Sequence, residues 1–412
     1  MRISIGMVWL ASVLFASIAL GEEPLLSLPG VGQAVSFCVE LPEGVAVPEA
    51  GKGCLVEAGY PDSRPVVQVV PAMDAAGLPA EERASLAGTI VPGNRVGKPR
   101  QFRLAPIAEV QSAPAELAIA DLNDKSVQIT DGDQPVLVYN HGVITKESIP
   151  EREHRRSRAC YVHPVYGLSG EVLTDDFPRD HYHHHGIFWT WPHVSVDGRE
   201  HDLWQGNTIR QQFVAWLARE AGPAAAVLGV ENGWYVGDEK VMTERVWIRA
   251  YHATGDSRPV DIDLTFIPTE KPVTLWGAAG KSYGGLTMRF APPASRDPAT
   301  VITTPSGPTA HDLSETMLRW ADYTSKLNGH DKPSGASVFI SPDHPSYPPT
   351  WLLRHYGPLC VGWPGVAPET LEPGVPVRMS YRIWIHKDAV NKSEIGRAFS
   401  AFLAGQKASW SK

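Results

Sequence analysis

The eight residues VDIDLTFI (260–267) alternate apolar and polar side chains along most of their length. Successive side chains of a β-strand point to opposite faces of the sheet, so this pattern gives one apolar face and one polar face. Such a strand is typical of an antiparallel sheet that buries one side against a core. We therefore expect an antiparallel sheet with one buried face at this point of the chain.

Similar short segments recur along the chain between turn-forming residues. Glycine (37) and proline (36) are spread through the 412 residues, and long segments with helical periodicity are scarce. The chain is therefore predicted to be mainly β with few helices: a large antiparallel β-sandwich preceded by a small β domain. The segments that predict strands are RPVVQVV, SVQIT, PVLVYN, ERVWIRAY, GGLTMRF, ASVFIS and VRMSYRIWIH.

Two segments raise the question of helix against strand. NKSEIGRAFSAFLAG (391–405) places Ile395, Phe399 and Phe402 on one helical face, with Ser393 as a candidate N-cap. TIRQQFVAWLARE (208–220) is followed by a Gly-Pro break and then by AAAVLGVENGWY. We predict a helix for the first segment and a β-hairpin for the second.

The chain divides into four predicted parts. Residues 1–21 show a basic start, an apolar run and small residues at the end, the pattern of a Sec signal peptide cleaved near Gly21. A small β domain is predicted for 22–120, a large β-sandwich with the site for 121–390, and a C-terminal helix for 391–412. Cleavage would leave a periplasmic or extracellular protein without stable membrane insertion. An uncleaved anchor is the alternative, since such a segment needs about 20 apolar residues.

Charge and cysteine content limit the partners and the redox chemistry. The net charge is −8, and no run of Lys and Arg lies among aromatic residues, so no nucleic-acid partner is expected. Export permits disulfides, and Cys38 and Cys54 flank a Gly/Pro-rich connection that a bridge could close. With Cys160 and Cys360 the chain has four cysteines, so three pairings stay open.

The most unusual segment is DDFPRDHYHHHGIFWTW (175–191), which has four histidines in five positions. If a strand begins at His181, then His181 and His183 share one face and lie roughly 6.5–7 Å apart, within reach of one divalent metal ion. The same strand would place His184 on the opposite face, where we expect a catalytic role. Hydrogen bonding to backbone or carboxylate groups is the ordinary alternative for each single histidine.

Other polar side chains are candidates for the same site. A turn at Phe177-Pro178 would point Asp176 outward, and a carboxylate near imidazoles suits acid–base or metal chemistry. A glutamate that faces inward from a strand, as expected for Glu244, needs a partner or a function. The catalytic candidates are His163, Asp176, His184 and Glu244, and the substrate-binding candidates are Lys281, Tyr283, Arg289, Asp322 and His344.

Four segments within residues 125–390 together resemble a known bacterial family. YVHPVYGLSGEVLTDDFPRDHYHHHGIFWTW, KSYGGLTMRF, WADYTS and DHPSYPPTWLLRHYG are similar to segments of the exported proteins labelled the PmoA family, after a methane mono-oxygenase subunit. The resemblance implies a galactose-mutarotase-like supersandwich, a core that binds sugars on one sheet with His, Glu, Asp and Arg. Members commonly have Pro and Arg where this chain has Tyr182 and His185, so the resemblance favours the other three histidines as site residues.

The sequence and this resemblance favour a carbohydrate-active enzyme and leave its reaction open. We predict an exported glycoside hydrolase, lyase or epimerase that acts on a sugar or oligosaccharide at the His-rich site, with or without a divalent metal. The first alternative is a protein that binds carbohydrate, or serves at the cell surface, without turnover. The second is a metal-dependent oxygenase, for which two His and one acidic residue are the minimum.

Overall fold

The computed structural model describes residues 23–93, 96–107, 115–293 and 300–411, so the predicted signal peptide lies outside the described residues. Within these ranges the chain forms β-strands β1 to β31 and one α-helix. The prediction of a mainly β fold with large antiparallel sheets and few helices is confirmed. No helix in these ranges is long and apolar enough to cross a membrane.

Six strands come from the first part of the chain: β1 (Leu26–Pro29), β2 (Val35–Glu40), β3 (Lys52–Glu57), β4 (Val66–Met73), β5 (Pro79–Ile90) and β6 (Pro99–Pro106). The middle part forms β7 (Leu117–Asn123), β8 (Ser126–Asp131), β9 (Gln134–Asn140), β10 (Ile144–Thr145), β11 (Ser157–Arg158), β12 (Tyr161–Val165), β13 (Ile187–Thr190), β14 (His193–Val196), β15 (Arg199–His201), β16 (Arg210–Ala221), β17 (Ala225–Val236), β18 (Glu239–Tyr251), β19 (Ser257–Pro268), β20 (Val273–Trp276) and β21 (Gly285–Arg289).

The last part completes the list with β22 (Val301–Thr304), β23 (Gly307–Thr309), β24 (Leu313–Met317), β25 (Trp320–Ser325), β26 (Ser334–Ile340), β27 (Thr350–Leu353), β28 (Pro358–Gly362), β29 (Glu369–Leu371), β30 (Val377–Lys387), α1 (Lys392–Gln406) and β31 (Ser409–Trp410). Strands β16 and β17 pair antiparallel, so the hairpin predicted for this segment is confirmed.

Two nine-stranded antiparallel sheets form the large sandwich. The front sheet has the order β24-β27-β28-β21-β13-β12-β9-β8-β7, and the back sheet has the order β16-β17-β18-β19-β30-β26-β25-β22-β23. The alternating segment 260–267 lies on β19, in the middle of the back sheet. Its apolar side chains are at most 2% exposed and belong to the main core between the sheets: Val260, Ile262, Leu264 and Phe266.

The polar face of β19 is also buried, which its alternation does not predict. A seven-stranded N-terminal sheet packs on this side of the back sheet, and Asp261 and Asp263 are only 8% and 3% exposed. Arg382 Nε lies 2.6 Å from Asp261 Oδ1, and Arg249 pairs with Asp263. A buried carboxylate without such a partner would be costly, so these ion pairs allow charged side chains at the junction.

The N-terminal sheet joins distant parts of the chain. Its order is β2-β5-β4-β3-β6-β1-β31, and Leu26 of β1 pairs with Trp410 of β31. Helix α1 covers this sheet and the back sheet together, with its apolar side chains turned inward as predicted. Its N-cap is Asn391, whose side chain accepts hydrogen bonds from Ser393 N–H and Glu394 N–H, so the assignment of the N-cap to Ser393 is wrong.

No disulfide joins Cys38 and Cys54 in the part of the chain that the structure describes, so the bridge considered between them is not formed. Cys38 lies on β2 and Cys54 on β3. Strands β5 and β4 separate these two strands in the N-terminal sheet. The two thiols are therefore on strands that are not neighbours.

Candidate functional site

The four histidines lie in turns, and the strand predicted to begin at His181 is wrong. Strand β13 begins only after Gly186. Before it, His184 N–H donates to the His181 carbonyl (2.9 Å), and Phe177 N–H donates to the His184 carbonyl (3.1 Å). A Cβ on Gly186 would lie 2.1 Å from the Val162 carbonyl oxygen, so only glycine lets the chain leave this turn next to β12.

The turn brings three imidazole rings together. The His181 and His184 rings are stacked with centroids 4.6 Å apart, and the His183 ring meets them edge-on at 5.5 and 4.8 Å. The prediction that His184 lies on the opposite face from the other two is therefore wrong. Burial lowers the pKa of His183 to about 3 and the pKa of His184 well below its usual value, so both rings are neutral at pH 7.

A small pocket of 110 Å³ adjoins these rings, and Lys281 and Tyr283 also line it. The structure therefore places two of the five predicted substrate-binding residues, Lys281 and Tyr283, beside the histidines. Among the described residues, no group of three or more His, Cys, Asp or Glu side chains is arranged to hold a metal ion. A divalent metal at His181 and His183 stays a prediction.

Asp176 is a predicted catalytic residue whose two carboxylate oxygens each have a side-chain partner. Its Oδ2 accepts a hydrogen bond from the Tyr161 hydroxyl (2.9 Å), and its Oδ1 lies 2.8 Å from His185 Nδ1. Burial raises the pKa of this carboxyl to about 6, although the charge of His163 and the Tyr161 hydrogen bond oppose the rise. A carboxyl group that titrates near neutral pH is suited to proton transfer.

His185 holds the carboxyl group of Asp176 in position through a hydrogen bond. The ring is 2% exposed, and burial lowers its pKa well below the usual value, so it is neutral. A carboxylate can only accept, so the hydrogen of the neutral ring must be on Nδ1 when Asp176 is ionised. His185, which the family resemblance ranked below the other histidines, is therefore a positioning residue for the carboxyl group.

His163 is the second group near Asp176. It lies on β12, its ring is partly buried, and its Nδ1 is 3.0 Å from Thr174 Oγ1. Burial lowers the pKa of His163, and the charges of Asp176 and Lys146 also act on it. A neutral imidazole close to a carboxyl group provides a proton acceptor beside a proton donor.

Asp176 opens onto a cleft of 1170 Å³ at the end of the front sheet. Ligand pockets commonly measure about 300–1,000 Å³, so this cleft has room for more than one sugar ring. Phe177, Tyr182 and Tyr356 give it aromatic surface. The charged residues that line it are Lys146, Asp175, Asp176, Arg179, Asp180 and Arg289.

Arg289 is buried at the wall of this cleft. Its Nη2 lies 3.2 Å from both carboxylate oxygens of Asp180, and the Tyr356 ring covers the guanidinium group at 4.9 Å. The Tyr356 ring also stacks on His181 at 5.4 Å, so it separates the cleft from the small pocket. The substrate-binding candidate Arg289 therefore lies where cleft and pocket meet.

Glu244 does not reach the cleft. It is fully buried in the core of the sandwich on β18 and accepts hydrogen bonds from Gln211 Nε2 (2.6 Å), Asn232 Nδ2 (2.7 Å) and Trp234 Nε1 (2.6 Å). Burial raises its pKa, although these donors oppose the rise. Its neighbours thus satisfy it within the core, apart from the other catalytic candidates.

Asp322 and His344 also lie away from the cleft. Asp322 is fully buried on the back sheet, where it accepts a hydrogen bond from Ser337 Oγ (2.7 Å) and lies 3.1 Å from His386 Nε2. His344 Nε2 is 3.2 Å from the Tyr381 hydroxyl. Neither residue lines the cleft or the small pocket.

Besides His185, the sequence did not identify Tyr161, Asp180 and Tyr356 as site residues. Asp180 lies inside the histidine segment and Tyr356 follows His355, so both were adjacent to segments singled out in the sequence. Their roles depend on contacts with Arg289, which follows more than a hundred residues after Asp180. A pairing of this kind cannot be seen in one sequence.

Comparison with known proteins gives one family match. The sequence profile of a family of unknown function, DUF6807, matches residues 126–400, which is more than half of the chain. D-galactarolactone cycloisomerase of Agrobacterium fabrum is 34% identical over 64 residues, a segment that makes up 16% of this chain. The match spans 17% of that relative's length.

Two solved structures share a distant likeness with the fold. A putative kojibiose phosphorylase from the human microbiome has 9% identity and a TM-score of 0.30 over 73% of this chain and 34% of that one. A galactose mutarotase related enzyme from Lactobacillus acidophilus has 8% identity and a TM-score of 0.31 over 67% of this chain and 99% of that one. Likenesses of this degree carry no argument about function.

Proposed function

We propose that this chain, which belongs to the DUF6807 family of proteins of unknown function, is a carbohydrate-active enzyme that moves protons on a sugar or oligosaccharide in the cleft. Asp176 carries the proposal. Its carboxyl group faces a cleft of 1170 Å³ and has a pKa raised by burial to about 6. It can therefore hold a proton in mildly acidic solution and release it to a bound substrate.

The surroundings of Asp176 suit acid–base chemistry. Tyr161 and His185 each bond one carboxylate oxygen, which fixes the orientation of the group. In the proposed reaction Asp176 gives its proton to an oxygen of the sugar, while neutral His163, which lies near Asp176 but does not line the cleft, accepts one from water. Hydrolysis, elimination and epimerisation all use such a donor and acceptor.

The lining of the cleft supports a sugar as substrate. Aromatic rings and hydrogen-bonding side chains lie together there, and rings of this kind pack on the apolar faces of sugars while polar groups bind the hydroxyls. The short sequence match to a protein named for a sugar-acid lactone is in keeping with this class. Export through a signal peptide at residues 1–21 is part of the same proposal.

The test is turnover by the purified protein on a panel of neutral and acidic disaccharides. Product formation is followed by chromatography and by the proton NMR signal of the hydrogen on the reacting carbon. We expect wild type to convert at least one substrate and Asp176→Asn to lose about 10²- to 10⁴-fold in kcat, the usual contribution of one acid or base. Binding of that substrate by Asp176→Asn should persist.

The matched control is Asp238→Asn, the same change at an exposed position outside the cleft. It should leave turnover unchanged. Sugar binding without turnover by wild type would favour the alternative of a non-catalytic binding protein. Turnover that survives Asp176→Asn would overturn the role of Asp176.

A further inference from the structure

The geometry points to a substrate that carries a carboxylate, bound by Arg289 in the cleft. This inference rests on the proposed function and narrows its substrate to acidic sugars or to oligosaccharides that contain one. It depends on two features of the described residues: unpaired guanidinium nitrogens and a carboxylate that can be displaced.

Arg289 is built into the wall with part of its binding capacity unused. Its side chain is 3% exposed, yet Nε and Nη1 have no hydrogen-bond partner among the described residues. An unpaired buried donor is costly to retain. The covering ring of Tyr356 is itself 41% exposed, so a small shift of this ring would open the guanidinium group to the cleft.

Asp180 marks the place that a ligand carboxylate would take. Both of its oxygens lie 3.2 Å from a single nitrogen, Nη2 of Arg289. Charge-assisted pairs are usually shorter, about 2.7–2.9 Å, and the strongest use two guanidinium nitrogens in parallel. The Asp180 side chain is 46% exposed. Its Oδ2 also lies 3.0 Å from His181 Nδ1, so Asp180 keeps one partner when a ligand carboxylate takes its place on Arg289.

The cleft has two more cations besides Arg289. Lys146 and Arg179 line the same cleft, and neither forms an ion pair with a residue that the structure describes. Asp175, Asp176 and Asp180 line the cleft as well, so its three cations face three carboxyl groups, and Asp176 is uncharged only when it is protonated. The preference for an anion therefore rests on the unpaired donors of Arg289 and not on the net charge of the cleft.

The shape of the guanidinium group favours a carboxylate over a sulfate ester. A planar fork of two donors matches the two coplanar oxygens of a carboxylate. Asp180 places both of its oxygens on one nitrogen, Nη2 of Arg289, so a planar carboxylate already fits against this group. We therefore assign the site to uronic or aldonic acids rather than to sulfated sugars.

The experiment compares D-galacturonate with its methyl ester, which keeps the ring and removes the charge. D-Galactose and D-galactose 6-sulfate complete the set, and dissociation constants are measured by NMR titration of the purified full chain. We expect D-galacturonate to bind at least about tenfold more tightly than the methyl ester or the neutral sugar, in line with the loss of a charge-assisted hydrogen bond. Raising the salt concentration should weaken only the binding of D-galacturonate.

Two variants test the residues in opposite directions. Arg289→Gln should lower the affinity for D-galacturonate to that of the methyl ester. Asp180→Asn should raise this affinity, because it removes the internal competitor. Asp180 is only half-buried, so we expect the variant to fold, and thermal melting checks this. Asp238→Asn, with an exposed side chain away from the cleft, should change nothing.

The outcomes separate this inference from the proposed function. Equal binding of D-galacturonate and its methyl ester, or tighter binding of the 6-sulfate, overturns the carboxylate assignment. If neutral disaccharides are also turned over in an Asp176-dependent way, the proposed function stands without it. If D-galacturonate binds through Arg289 but no saccharide reacts, the binding inference holds and the enzymatic proposal fails.

Discussion

Asp176 is held in the folded protein by two hydrogen bonds and titrates at about pH 6, above the usual value of 3.8 for an aspartate. Between these pH values the folded protein binds more protons at this position than the unfolded chain does. Stability contributed by Asp176 is therefore present below about pH 4 and falls as the pH rises to about 6. The catalytic acid form is lost over the upper part of the same range.

The Asp176→Asn variant lacks this titration, and that difference can be measured. We expect the free energy of unfolding of the variant, relative to wild type, to rise by about 2–3 kcal/mol between pH 4 and pH 7. Thermal or urea unfolding over this range gives the value. A difference that does not change with pH would contradict the raised pKa.

Glu244 provides a second prediction at the scale of single residues. Three donors point at its buried carboxylate, so Glu244→Ala would leave them unpaired and open a cavity. We expect a loss of about 3–5 kcal/mol in the free energy of unfolding, measured in urea. Glu244→Gln, which keeps the volume and one acceptor, should lose less than Glu244→Ala.

Single residues were predictable where the chemistry was local. Asp176 and His163 stand out because a carboxylate pair, a His-Pro step and a histidine run lie close in sequence. Glu244 also looked like a site residue, because it is a charged residue on an apolar strand. Its hydrogen-bond donors, however, come from β16 and β17 and enclose it in the core. The sequence shows that a buried charge needs partners, but it does not show whether these are substrate or protein.

Within elements, helix α1 contains two glycines with opposite expected behaviour. A Cβ on Gly396 would meet nothing within 4 Å, whereas a Cβ on Gly405 would lie 2.3 Å from the Ser36 carbonyl oxygen. Gly396→Ala should therefore stabilise the protein by about 0.5–1 kcal/mol through helix propensity. Gly405→Ala should destabilise it by about 1–3 kcal/mol, because the helix must move off β2.

The two substitutions are each other's control, since both add one methyl group to the same helix. Thermal unfolding measures both. If Gly405→Ala were as stable as Gly396→Ala, the close packing of α1 on the N-terminal sheet would be contradicted.

The element that the sequence failed to predict is the histidine turn. Strand periodicity was extended back to His181 because the following residues, from Ile187, are apolar and β-forming. Residues 181–185 contain no apolar alternation of their own, and Pro178 and Gly186 bound them. Those two residues are the signals for a turn. Had they been given more weight, the three rings would have been expected on one side.

At the scale of the whole molecule, α1 and β31 tie the N-terminal sheet to the sandwich. The helix buries Ile395, Phe399 and Phe402 against the back sheet, and full burial of such side chains is worth about 1.5–3 kcal/mol each. A chain that ends at residue 390 should therefore lose at least about 5 kcal/mol of stability. Urea unfolding, together with binding of a dye for exposed apolar surface, measures the effect; a truncated chain as stable as the full chain would contradict it.

The sandwich was predictable because its strands alternate and because turn residues separate them. The arrangement of the sheets was not. From the sequence, Asp261 and Asp263 are expected to face solvent. Their burial is explained by the N-terminal sheet that covers them and by their ion pairs with Arg249 and Arg382. One sequence carries no signal for which polar face a second sheet will cover.

The pairing of β1 with β31 also determines when the N-terminal sheet can finish folding. Leu25 N–H donates to Ser411 Oγ across a separation of 386 residues. While the chain is being synthesised, the outer edge of β1 stays unpaired until residues 409–411 are complete. Until they arrive, an unpaired strand edge is open to other chains. Escort by a chaperone should matter most in that interval, and least once the final strand has docked.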